Sequence, residues 1–214
     1  MFEIVQSQLE SDINRDFVAL GYLLIEDVGP HSAFIIQYQG ILYEFHYEGS
    51  MIDFSEIWND YFHKVTYSVH PEEVPAFMAM CEQIQKKANP RYGYFYSGES
   101  YDRNGDHFGS KDLGERMTCV GFCLNVLKGF FEEDYLEYTD WDEETHNDVG
   151  YLESYCEKHN LDITKVKASH RRITPIEFIS SGFFANLPIR KIQIESKVQE
   201  VEETIERKVQ SQMN

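Results

Sequence analysis

His31-Ser32-Ala33-Phe34-Ile35-Ile36-Gln37-Tyr38, the pair Gln39-Gly40, and Ile41-Leu42-Tyr43-Glu44-Phe45-His46-Tyr47 form the stretch that decides the fold. Two runs rich in β-branched and aromatic residues flank a short turn, which predicts a β-hairpin over residues 32–47. The apolar residues from Ser32 to Tyr38 are nearly continuous, the pattern of a strand covered on both faces. Just upstream, Phe17 to Ile25 (FVALGYLLI) reads as a further strand, ended by the Gly29-Pro30 break.

Beyond the hairpin the pattern turns helical. Pro71-Glu72-Glu73 puts proline and two acids in the first turn of a helix running to about Lys87, where Asn89-Pro90 stops it. Residues 91–115 are rich in glycine and tyrosine and predict a long functional loop. Helical spacing resumes from Cys119 to about Phe131, and Asp148 to Lys158 is another helix candidate. Thr174-Pro175-Ile176-Glu177 is a capping box with proline at the first helical position. From Arg190 to Asn214, Ile194, Val198, Val201, Ile205 and Val209 recur every three or four residues among Glu and Lys, an amphipathic helix. It can pack on its own domain or pair with a second copy as a homodimer. The expected organisation is an α+β domain over 1–189 and this helix over 190–214.

The bulk composition bounds the function. With 214 residues, 42% hydrophobic and 14% aromatic, the chain has material for one full core. A formal charge of −18 repels phosphate backbones and anionic lipid, so neither nucleic acid nor a membrane is the expected partner. The best basic cluster, Lys165 to Arg172 (KVKASHRR), is short. The first residues, MFEIVQSQLESD, show neither a basic nor an apolar region of a secretory signal, and no apolar run approaches the ~20 residues of a membrane span. Cys81, Cys119, Cys123 and Cys156 then read as reduced thiols of a cytoplasmic protein.

One of these thiols stands where chemistry is favoured. In Thr118-Cys119-Val120-Gly121-Phe122-Cys123 a glycine-rich loop gives way to a helix, placing Cys119 near its N-terminus. The unsatisfied amides and dipole there favour a thiolate and can hold an oxyanion. Cys123, one turn on, is expected to pack, and no second Cys/His pair at finger spacing makes a zinc site of the two. Asp102-x-Asn104-x-Asp106 fails as a calcium loop, with His107 and Leu113 where glycine and glutamate belong. No cofactor or metal is called for.

A cysteine nucleophile needs a base. His63, His70, His107, His146, His159 and His170 stand among polar or turn residues, where simple exposure is expected. His31 instead stands at the mouth of an apolar strand, directly after Gly-Pro, held by rigid backbone at the end of the sheet. Glu44 and His46 lie on the returning strand, two apart and so on one face. Either can orient the imidazole, and periodicity does not choose between them.

The segment Cys119-Val120-Gly121-Phe122 resembles the C-S-G-F nucleophile motif of the NlpC/P60 superfamily of papain-like cysteine enzymes. His31-Ser32-Ala33-Phe34-Ile35, followed by Gly40 and Glu44, resembles that family's H-x-G-I-Y strand and polar third residue. The order, histidine before cysteine, is that of the circularly permuted branch, which includes lecithin-retinol-acyltransferase-like proteins. Thr174 to Phe178 also resembles a T/S-P-x-D/E segment of bacterial members, so the likeness spans about residues 28–188. Ala33 stands for the usual glycine, and Val120 for the small polar residue after the cysteine.

The resemblance implies a papain-like α+β fold, a small antiparallel sheet or half-barrel packed on helices. It implies Cys119 as nucleophile, His31 as base, and a tyrosine upstream whose hydroxyl aids the oxyanion hole, with Tyr92 first and Tyr94 next. The implied activity is hydrolysis of an amide in small peptides or amino-acid conjugates. Acyl transfer from lipid or thioester and a catalytically idle dimeric binding module are the alternatives.

Overall fold

The structure, a computed structural model, describes residues 4–6, 15–25, 29–93, 98–141 and 149–212. It is a mixed α+β chain in which six strands form one large antiparallel sheet. The hairpin lies at its centre. Strands β2 (Phe17–Ile25), β3 (Gly29–Tyr38), β4 (Ile41–Tyr47) and β5 (Ile52–Glu56) form a meander. β6 (Phe62–Val65) returns to the outer side of β2, and the two-residue β1 (Val5–Gln6) closes that edge.

The turn between β3 and β4 has positive φ at both Gln39 (51°) and Gly40 (80°), the combination of a type I′ turn. Its twist matches that of the strands, and it pairs Tyr38 with Ile41. Counting back through that register sets Ala33 opposite His46 and Ile35 opposite Glu44.

Both faces of the central strands are covered. Phe34, Ile36, Phe45 and Tyr47 pack with α1 (Val74–Lys87) and α2 (Cys119–Phe131) in the main core. Ala19, Ala33 and Ile35 meet Phe17, Tyr61 and Val65 on the other side. That double burial is why the run reads as continuously apolar.

Four further helices lie among the described residues, α3 (Val149–His159), α4 (Ile163–Ser169), α5 (Pro175–Ser181) and α6 (Lys191–Gln212). The Thr174 capping box is formed in full, with Thr174 accepting from the Glu177 amide. The apolar stripe of α6 is occupied within the chain: Val201 and Ile205 pack with Ile4, Phe62 and Ile179, while Ile194 joins the main core. No helix among the described residues is long and apolar enough to cross a membrane.

Among the described residues of 91–115, expected as a long loop, short strands form. Arg91–Tyr92 (β7) pairs in parallel with Arg116–Met117 (β10), and Ser100–Tyr101 (β8) pairs with His107–Phe108 (β9). Each strand has only two residues, too short to leave a periodic signature. The failed calcium loop is a turn in which Asp102 accepts from the amides of Asn104 and Asp106.

Candidate active site

Thr118 is the N-cap of α2 and its hydroxyl accepts from the Gly121 amide at 3.0 Å. Cys119 is therefore the first helical residue, and its own amide and that of Val120 have no intrahelical partner. Both amides approach the Cys119 sulfur, as does the backbone amide of Ser32 on β3. Burial raises the thiol above its ordinary value, and the Ser32 amide is the strongest opposing influence. The other cysteines are buried, and Cys81 and Cys123 belong to the main core.

The Ser32 contact brings the backbone of His31 toward the sulfur, while its ring, which does not line the Cys119 cavity, lies with Ala33, Ile35 and His46 on the other face of the sheet. The His31 ring is held from behind. Its Nε2 lies 2.9 Å from Nδ1 of His46, with the rings edge to face. Burial lowers the pKa of His31 to about 4, and the neighbouring charge of His46 adds to the effect. His46 is lowered as well, by burial, against the upward pull of Glu48 and Asp53. Both rings are neutral at pH 7.

The choice left open between Glu44 and His46 is settled for the contact itself. His46 meets His31, whereas Glu44 sits two pairs further along and accepts from the Asn59 side chain at 3.4 and 3.5 Å. Burial pushes the Glu44 carboxyl up to about 7, opposed first by the Asn59 hydrogen bond.

Tyr92 comes to the same place through the short β7·β10 pair. It stands opposite Met117, two residues before Cys119, and the Gly93 amide donates to the Met117 carbonyl at 3.1 Å. Burial raises the Tyr92 phenol, with the Cys119 thiolate as the next cause, so its hydroxyl keeps its proton at neutral pH. Tyr94 and His146 lie outside the described residues.

Pro30, Tyr92, Cys119 and Val120 line a cavity of about 500 Å³, closed by Tyr151 and Leu152 of α3 and by residues 170–175. That last segment was not among the expected site residues. His170 is 2% exposed rather than on the surface, and Arg171 and Arg172 also line the cavity. His63 is buried too, stacked on Phe17 at 5.7 Å, and His107 pairs with Glu99 at 2.7 Å. The sequence signal for His170 is its place in the basic cluster Lys165 to Arg172.

No family model, curated protein or solved structure matches this chain.

Proposed function

We propose that this protein is a cysteine-dependent acyl hydrolase, with Cys119 as nucleophile, His31 as base and His46 as the group that orients it. The observation carrying this reading is the Cys119 sulfur at the head of α2, with the Ser32 amide next to His31 acting on it and a cavity of about 500 Å³ before it. The antiparallel sheet packed on a helix headed by cysteine is also the arrangement expected of a permuted papain-like fold.

The chemistry follows from the neutral resting pair. With His31 Nε2–H donating to His46, Nδ1 carries the lone pair and takes the thiol proton as sulfur attacks the acyl carbonyl. The amides at the start of α2 and the Tyr92 hydroxyl donate to the oxyanion. The proton passes from His31 to the leaving group, leaving a thioester on Cys119. His31 then draws a proton from water, whose oxygen attacks the thioester and restores the thiol.

The cavity also suggests a substrate class. Two arginines line it and, among its described lining residues, there is no carboxylate, although the chain carries −18 overall. An acyl compound bearing a carboxylate, such as a small peptide or amino-acid conjugate, suits that field.

The test is acylation by p-nitrophenyl acetate. We expect a nitrophenolate burst of one equivalent and an acetyl group on the Cys119 peptide by mass spectrometry, absent in Cys119→Ser. Among N-acyl amino acids, a free α-carboxylate should raise kcat/KM about tenfold over the amide, and Arg172→Gln should erase that preference. A protein in which Cys119 acylates no faster than Cys156 is a binding module, and the proposal falls.

A further inference from the structure

We propose that Nε2 of His46 and the carboxylates of Glu44 and Asp53 form a binding site for a single divalent cation of the zinc class. The ligand atoms of these three side chains lie within 4.8 Å of one another. They stand on adjoining strands, with His46 directly opposite Asp53, on the side of His46 away from His31.

What points to a ligand is the state of His46. The residue is 2% exposed, and its Nδ1 is taken by His31. Nε2 is sealed from solvent and has no hydrogen-bond partner among the described residues. The nearest carboxylates stand off at 3.8 Å (Glu48) and 3.9 Å (Asp53). An orphaned buried nitrogen between acidic groups is costly. A cation bound there would satisfy the nitrogen and the acids together.

The donor set selects the class. An imidazole with two carboxylate oxygens suits zinc and its first-row neighbours, whereas calcium and magnesium favour all-oxygen shells. Ligands about 2.1 Å from a tetrahedral ion lie about 3.4 Å apart, so small side-chain adjustments bring the donors together. Outer hydrogen bonds are already in place. Ser55 donates to Asp53 at 2.7 Å, Asn59 donates to Glu44, and the second nitrogen of His46 meets His31.

Occupancy reverses the histidine pair, a consequence that rests on the proposed function. A metal on Nε2 leaves the His46 proton on Nδ1, which then donates to Nε2 of His31. The proton of His31 must sit on Nδ1, and the lone pair that would deprotonate Cys119 is gone. The cation therefore switches the nucleophile off without touching it.

The experiment titrates full-length Cys119→Ser protein with Zn²⁺ by calorimetry, and wild type with Co²⁺ by absorption. We expect one ion per chain, at least tenfold weaker binding in Glu44→Gln and in Asp53→Asn, and a cobalt spectrum lacking thiolate charge transfer. Stoichiometric Zn²⁺ should also slow acetylation of Cys119 at least tenfold in wild type but not in Glu44→Gln/Asp53→Asn. No binding, binding indifferent to both substitutions, or a thiolate band overturns the site. Binding at the site with an unchanged acetylation rate overturns the switch. Should metal-free protein not acylate at all, the hydrolase reading fails and the site is judged on binding and the cobalt spectrum, neither of which needs turnover.

Discussion

His31 and His46 share one hydrogen bond, Nε2 to Nδ1 at 2.9 Å, which commits one nitrogen of each ring to the other. Only Nδ1 of His31 is left to act on a thiol, and only Nε2 of His46 to face Glu48 and Asp53. With His31 lowered to about 4 and Cys119 raised, both by burial, the thiol and the imidazole are both neutral at rest.

The histidines can be ranked by substitution. Removing a general base costs about 10²–10⁴ in rate, so His31→Ala should reduce the rate of Cys119 acetylation by at least a hundredfold. His46→Ala removes only the orienting partner and should cost about tenfold, as second-layer partners do. His170 shares the cavity, and His170→Ala is the decisive control. If it outweighs His31→Ala in stopped-flow acetylation, the base has been assigned to the wrong histidine.

Alkylation reports the state of the thiol directly. Because burial raises the Cys119 pKa, its thiolate is scarce at neutral pH, and the iodoacetamide rate should climb with pH through 7, 8 and 9. A preformed thiolate–imidazolium pair would instead hold the rate flat across that range. Peptide mapping should find Cys119 labelled ahead of Cys81 and Cys123, whose thiols burial raises further. A plateau from pH 6 upward rules out the neutral pair.

Much of this arrangement was legible in the sequence, and the third residue more so than periodicity alone suggested. Glu44 and His46 share a face, so a period of two does not separate them. The Gln39-Gly40 turn does, because a two-residue turn pairs Tyr38 with Ile41 and so brings His46, not Glu44, next to His31. Cys119 at the helix head was likewise readable from the loop-to-helix transition. His170 and the arginines after it were not. They reach the cavity because α4 packs on α3 and α5 on the sheet, which brings the segment between them to the head of α2, a tertiary event with no local pattern. The two-residue strands that carry Tyr92 were equally silent.

Gly129 ties residues 91–115 to the helix that carries the nucleophile. A Cβ at this interior position of α2 would run into the Tyr101 carbonyl oxygen and lie 3.1 Å from the Met80 methyl. The carbonyl belongs to β8, so backbone, not a flexible side chain, would have to move. Gly129→Ala gains about 1 kcal/mol of helix propensity, yet a clash this severe should outweigh it and destabilise the protein by about 2 kcal/mol net. Urea unfolding followed by tryptophan fluorescence checks this. An unchanged or raised midpoint would mean that β8 does not dock on α2.

Lys64 makes stability depend on pH in a calculable direction. Its side chain is fully buried, with Nζ 3.2 Å from the Val65 carbonyl and over the rings of Tyr67 and Phe183. Desolvation lowers its pKa to about 8, against about 10.4 in the unfolded chain. Between those values the unfolded chain binds more protons, so stability rises with pH across the window. Below pH 8 the folded state carries the whole penalty, on the order of 3 kcal/mol, and above about 10.4 it carries none. Lys64→Met removes the titration together with contacts whose loss is nearly independent of pH. The stability of Lys64→Met minus that of wild type should therefore be most positive at pH 7 and fall by about 2–3 kcal/mol toward pH 10, read from paired urea titrations. A difference that stays constant from pH 7 to 10 would show that the ammonium reaches water.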